Sequence, residues 1–128
     1  MARVVLDASA VVALVRDEPG AEVVRAHVEG AVISAVNLQE VIKELLEEIT
    51  LDQSRVVISD LGLDIKPHDE NAAYAAATLA EHTRRHGSGL GDRTCMALAL
   101  ALGVPVLTAD RAWGKLTVPG LDVRLIRH

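Results

Sequence analysis

The chain has no phenylalanine, and Tyr74 and Trp113 are its only aromatic side chains. A module that holds single-stranded nucleic acid by stacking successive bases needs more rings than that, so a pure RNA-binding role is disfavoured. Cys95 is the only cysteine. One thiol cannot form an internal disulfide or a multi-thiolate zinc site, and it suits a reducing cytoplasm; its apolar neighbours mark it as a small core residue. Long hydrophobic runs are also missing. The longest, Cys95 to Leu107, falls short of the ~18 residues of a membrane span and is interrupted by Gly103 and Pro105. At the N-terminus one basic residue precedes Val4-Val5-Leu6, and Asp7 ends that run before the core of an export signal could form. There is no basic excess either: the net charge of −5 and pI near 5.5 give no electrostatic ground for a nucleic-acid partner. These absences point to a soluble, cytoplasmic protein without membrane contact.

What is present is a core. Half of the 128 residues are hydrophobic, which suits one globular domain over residues 1–128. Short β-branched runs at Arg3 to Leu6, Ala31 to Ser34, Leu63 to Lys66, Val104 to Thr108 and Val123 to Ile126 read as strands. Between them lie helical patterns: an apolar segment after Ser9, a second helix from about Ala21 to Val28, and Asn37 to Leu51 with Leu38, Val41, Ile42, Leu45 and Ile49 at helical spacing. Asp52 to Leu61, the alanine-rich Asn71 to His86 ending at Gly87, the almost wholly apolar Thr94 to Leu102, and a short helix around Arg111 to Leu116 follow. Alternating strands and helices predict an α/β fold in three layers, with a central, mostly parallel sheet of about five strands and helices on both faces. If the first three strands wind outward one way and the fourth returns beside the first, a ligand crevice opens between the strands ending at Asp7 and Thr108.

Four carboxylates, Asp7, Glu40, Asp92 and Asp110, sit at strand exits or in the helical turns that follow. In a parallel sheet those positions converge on one crevice, and an acidic set without thiolates suits hard cations such as Mg²⁺ or Mn²⁺. Taken singly each has a plain structural explanation. Asp7, Asp92 and Asp110 are equally good helix caps, and Glu40 lies early in a helix where the dipole favours an acid. Their joint placement is what points to phosphate-ester chemistry.

Val5-Leu6-Asp7-Ala8-Ser9-Ala10, Ser34 to Val41, Leu90-Gly91-Asp92-Arg93 and Val106 to Trp113 together resemble the ordered signature blocks of PIN-domain nucleases, and more narrowly of the toxins called VapC. The resemblance spans nearly the whole chain. It implies that Asp7, Glu40, Asp92 and Asp110 form a catalytic quartet holding Mg²⁺, with Mn²⁺ as a substitute. It also implies that Ser9, Asn37 and Thr108 support the site, that RNA is the substrate, that the chain forms a homodimer, and that a VapB-like antitoxin inhibits it, in a complex that could be larger. The loop Gly87-Ser88-Gly89-Leu90-Gly91 is richer in glycine than the usual family block.

Arg93 and Arg111 adjoin the acids and could grip phosphate, although solvated surface charge explains them as well. Apolar helical faces at Val11 to Val15 and Val41 to Leu46 could bind a partner or simply fill the core. His82 and His86 are spaced i, i+4, but no glutamate directly follows His82 as a zincin helix requires, so a solvated pair is expected. The glycine-rich loop lacks the preceding strand and the lysine of a phosphate cradle. A receiver domain would want an acidic pair after the first strand, where Asp7 stands alone, and a catalytically silent PIN-like interaction domain would not respond to metal.

Overall fold

The structure, a computed structural model, describes residues 3–83 and 89–128. Five strands, β1 (Val5–Leu6), β2 (Val32–Ser34), β3 (Asp64–Lys66), β4 (Val106–Thr108) and β5 (Val123–Leu125), form one sheet in the order β3-β2-β1-β4-β5, and every pairing is parallel. The fourth strand therefore returns beside the first, as the topology rules predict, and the sheet is wholly rather than mostly parallel. Val5 is in register with both Val32 and Val106, which makes β1 the central strand.

Side-chain alternation along the strands divides the interior into two cores. Leu6, Ile33 and Leu107 face one side, where they meet Val11 and Val12 of α1 (Ala8–Val15), Val24 of α2 (Ala21–Arg25), and Val41 and Leu45 of α3 (Ala35–Leu45). Val5, Val32 and Val106 face the other, against Cys95, Met96 and Ala99 of α7 (Leu90–Leu102) and Ala76 of α5 (Glu70–Ala77). Both faces of a parallel sheet are thus covered, giving three layers. The apolar residues from Val11 to Ala13, and Val41 and Leu45, are consumed by this packing; of the two expected partner faces only Leu46 is left substantially exposed, at 46%.

Several helix boundaries depart from the apolar periodicity. The pattern from Asn37 to Leu51 is broken: α3 stops at Leu45, and α4 (Leu51–Leu61) begins afresh because Thr50 and Gln53 form a reciprocal capping box. Ile49 still packs on the core from the turn between them. The second helix ends early, at Arg25. The alanine-rich segment divides into α5, capped by Asp69, and α6 (Ala80–Thr83), while Thr78 and Thr83 turn their hydroxyls onto the carbonyls of Ala75 and Leu79. His82 is exposed; His86, Gly87 and Ser88 lie outside the described residues. Helix α7 starts at Leu90, earlier than its apolar run, so Asp92 lies inside the first turn rather than before it. The segment after Asp110 is a 3-10 helix, Arg111–Lys115. Among the described residues no helix is long and apolar enough to cross a membrane.

Gly20 joins α1 to α2 with φ +96°, and a Cβ there would lie 2.6 Å from the Ile126 carbonyl oxygen. Gly20→Ala is expected to cost ~2 kcal/mol or more, from the left-handed backbone alone before the clash is added. A shift in the urea midpoint without change in slope measures it.

Candidate active site

Asp7 leaves the C-terminal end of β1 in the N-cap position of α1, yet its carboxylate makes no cap hydrogen bond. It turns instead towards β4. Ser9 donates to Asp7 Oδ2 at 2.7 Å, and Thr108 donates to the same oxygen at 2.8 Å. Both hydroxyls are fixed from behind, since the Ala109 N–H donates to Ser9 Oγ and the Asp110 N–H donates to Thr108 Oγ1, each at 3.0 Å. Asp7 therefore does not cap α1, and its carboxylate is held by one hydroxyl of its own helix and one from β4.

Burying a carboxylate costs free energy in its charged form. Asp7 is 6% exposed, and its pKa is pushed up to about 6, first by burial and then by the charges of Asp92 and Glu40, while the bonds from Ser9 and Thr108 pull it back. Asp92 is also raised: burial dominates, the charge of Asp110 adds, and a bond from the Gly89 N–H and the charge of Arg93 oppose. Cys95 lies beneath. Burial first, then the charges of Asp7, Asp92 and Glu40, hold its thiol well above the usual range. The charges of all four acids are therefore linked through space, Asp7 to Glu40 and Asp92, and Asp92 to Asp110.

Each of the other three acids is held by its own neighbourhood. Glu40 sits in the middle of α3, later than expected, and its Oε1 accepts from Asn37 Nδ2 at 2.8 Å. Asp92 accepts from the Gly89 N–H at 3.1 Å, and Asp110 caps the 3-10 helix by accepting from the Ala112 N–H at 2.9 Å. The capping explanation thus holds for Asp92 and Asp110 and fails for Asp7. Among the described residues no three Asp, Glu, His or Cys side chains are grouped closely enough to hold a metal ion. The expected quartet is therefore not a ready-made ligand shell. Like charges facing one another without a counter-ion are better separated, and two of these four are satisfied by their own helix starts. The donor set is nonetheless all hard oxygen, and a cation is what would relieve the charges that raise Asp7.

The remaining candidates divide. Asn37 is fully buried and also donates to the Gly91 carbonyl at 2.9 Å, so it joins α3 to α7. Arg93 is half-buried close enough to Asp92 to influence its charge. Arg111 is exposed and donates to the carbonyl of His128 at 2.8 Å, which fits the surface reading better than a phosphate grip. A crevice of about 450 Å³ opens at the C-terminal ends of β2 and β3, with Ser34, Lys66, His68, Thr94 and Leu98 among its lining and none of the four acids. Gly91 is the residue that sequence reasoning missed. Its contact with Glu40 is tertiary, and only its place next to Asp92 could have drawn notice.

The PIN domain family model matches residues 4–118. The chain belongs to the PIN domain family. Comparison with curated proteins finds no match. Solved structures match along nearly the full chain, and their identities are low enough to show the fold alone. A toxin–antitoxin complex from Klebsiella pneumoniae superposes on this PIN domain with TM-score 0.77 at 16% identity, covering 98% of each chain. DNA-bound VapBC from Salmonella typhimurium gives TM-score 0.71 at 18% identity, covering 98% of this chain and 99% of that one. VapBC-5 from Mycobacterium tuberculosis, of the VapBC family of toxin–antitoxin systems, gives TM-score 0.61 at 24% identity over 100% of both chains. Asp7 and Thr108 of this PIN domain end adjacent strands at the point where the strand order reverses, the place at which open α/β sheets bind their ligands.

Proposed function

We propose that the chain is a divalent-metal-dependent endoribonuclease and the toxin of a VapBC-type toxin–antitoxin pair. The observation that carries this is Asp7, a buried carboxylate with a pKa near 6, held by two hydroxyls among three further acids at the strand-order switch. A protein retains such a group, against its cost to folding, where its charge has work to do.

Asp7, Glu40, Asp92 and Asp110 would hold Mg²⁺ or Mn²⁺. When bound, the ion supplies positive charge that polarises a phosphoryl oxygen and makes water more acidic. The remaining work falls to the protein. Ser9 and Thr108 occupy Oδ2 of Asp7, leaving Oδ1 to face a ligand, and their backbone partners at Ala109 and Asp110 keep that orientation when the carboxylate ionises. Asn37 holds Glu40, so the α1 and α3 acids are fixed, while Asp92 and Asp110 must turn from their caps to join them. The crevice at the ends of β2 and β3 would seat part of the strand, with Lys66 supplying positive charge.

RNA as substrate, homodimerisation and antitoxin control follow from the resemblance and from the VapBC complexes that share the fold. A cleft of about 350 Å³ between α3 and α4, lined by Leu38, Ile42, Leu51, Arg55 and Ile58, supports an antitoxin partner. Leu51 stands exposed there at 50%. This cleft replaces the Val11 to Val15 face as the partner surface.

Incubating antitoxin-free protein with mixed structured RNAs should give cuts with Mg²⁺ or Mn²⁺, none in excess chelator, and full recovery when the ion is restored. The resemblance implies 5′-phosphate and 3′-hydroxyl ends, and attack by water leaves no cyclic phosphate because the 2′-hydroxyl takes no part. Products ending in a 2′,3′-cyclic phosphate would refute the mechanism. Intact RNA in every lane, together with no cation binding, would favour a silent interaction domain.

A further inference from the structure

Glu40 is the one acid of the four whose seat is built by residues from two different helices. On its own helix, one turn earlier, Asn37 is fully buried, and its Nδ2 donates both to Glu40 Oε1 at 2.8 Å and to the Gly91 carbonyl at 2.9 Å. Both partners are acceptors, so the orientation of the Asn37 amide is fixed. On the facing helix, Gly91 precedes Asp92 in the first turn of α7, and the Glu40 carboxylate lies directly on it. A Cβ on residue 91 would stand 2.6 Å from both Glu40 oxygens and 2.8 Å from the carboxylate carbon, and the three nearest atoms it would meet all belong to Glu40. The backbone of Gly91 is helical and tolerates any side chain. What one would meet is the far end of the Glu40 side chain, which would have to turn aside from its present seat.

We propose that Asn37 and Gly91 are positioning residues that set Glu40 against the first turn of α7, and so fix the separation of Glu40 from Asp92 for cation binding. The proposal rests on the metal-site reading above and adds to it the part that the acids themselves do not explain. Glycine in the first turn of a helix weakens that helix, and alanine would strengthen it. Gly91 therefore leaves open the space that the Glu40 carboxylate occupies. Asn37 supplies the complementary half. It holds one oxygen of the carboxylate and ties the carbonyl of the opposite helix to the same amide, so α3 cannot slide past α7 without breaking the bond from Asn37 to Gly91.

Two substitutions, Asn37→Leu and Gly91→Ala, each in the wild-type and Glu40→Ala backgrounds, test this with two readouts: the Mn²⁺ dissociation constant by electron paramagnetic resonance, and the melting temperature without metal. Acting through Glu40, each should weaken Mn²⁺ binding at least tenfold in the wild type and leave it unchanged once Glu40 is alanine. Gly91→Ala should raise the melting temperature less in the wild type than in Glu40→Ala, because only the wild type has a carboxylate to displace. Equal losses of Mn²⁺ affinity with and without Glu40 would overturn the proposal while leaving the metal site standing. A wild type that takes up no Mn²⁺ would overturn the metal reading and the proposal with it. If Asn37→Leu does not fold, Gly91→Ala alone decides, since a loss of Mn²⁺ affinity confined to the protein that has Glu40 cannot come from general damage.

Discussion

Asp7→Asn should abolish metal-dependent RNA cleavage, by ~10³-fold or more, and at the same time make the metal-free protein more stable at pH 7. Both results come from one carboxylate. The donors Ser9 and Thr108 share a single oxygen of Asp7, and an asparagine carbonyl can accept both bonds unchanged. What is lost is the charge. The folded protein holds the Asp7 proton up to about pH 6, against 3.8 for an ordinary aspartate, so between those values folding takes up a proton. Stability is then full below about pH 4 and falls as pH rises through 6, by ~3 kcal/mol for two pKa units. Asparagine does not titrate, so the variant should melt higher at pH 7, and the difference should vanish near pH 3.5. Saturating Mn²⁺ should narrow or reverse it, because only the wild type gains the ion's binding energy. Thermal melts at the two pH values, with and without Mn²⁺, check all of this. An unfolded Asp7→Asn protein would defeat the assignment of Asp7 as a functional rather than structural acid.

The same proton competes with the cation. Mn²⁺ affinity should be about tenfold weaker at pH 5 than at pH 7.5, from protonation of a group with a pKa near 6.

Trp113→Ala is expected to lose about 3–5 kcal/mol, the cost of deleting a large buried side chain. Trp113 is 2% exposed and packs in the core with Val5, Val106 and Val118. It also anchors the 3-10 helix that Asp110 caps, its N–H donating to the Asp110 carbonyl at 3.2 Å. The indole N–H is buried without a hydrogen-bond partner among the described residues. Trp113→Phe should therefore cost far less than the alanine, since the ring is retained and no bond is forfeited. Denaturant unfolding of the two variants separates ring volume from the polar atom; equal losses would show that the indole nitrogen matters after all. Cation affinity should fall in the alanine variant even at temperatures where it remains folded, as the turn carrying Asp110 loosens.

The strands were legible because each is a short β-branched run with its two sides dividing cleanly between cores: Val5 and Leu6, Val32 and Ile33, Val106 and Leu107. The strand order followed from topology alone. Helix ends were less legible. Apolar spacing carries Ile49 into the third helix, whereas the local bonds of Thr50 and Gln53 start a new one, and a hydrophobic pattern is blind to that competition. Among the acids, position could not separate the cap from the functional group. Asp110 and Asp7 stand alike after their strands, and only the 101-residue reach from Thr108 to Asp7 distinguishes them. Gly91 was invisible for the same reason, since its meaning lies in a side chain 51 positions away that α3 brings across.

The parallel sheet has a temporal consequence. β4 lies between β1 and β5, so the central part of the sheet stays open on one side until residues 106–108 exist. The hydroxyl that steadies Asp7 belongs to one of those residues, and Asp110 comes just after. During synthesis the first acid leaves the ribosome roughly a hundred residues before the group that holds it. A chain that stops between Asp92 and Thr108 carries Asp7, Glu40 and Asp92 without the strand whose hydroxyl reaches Asp7. On the nuclease proposal, chains that stop short of Thr108 should therefore be inert.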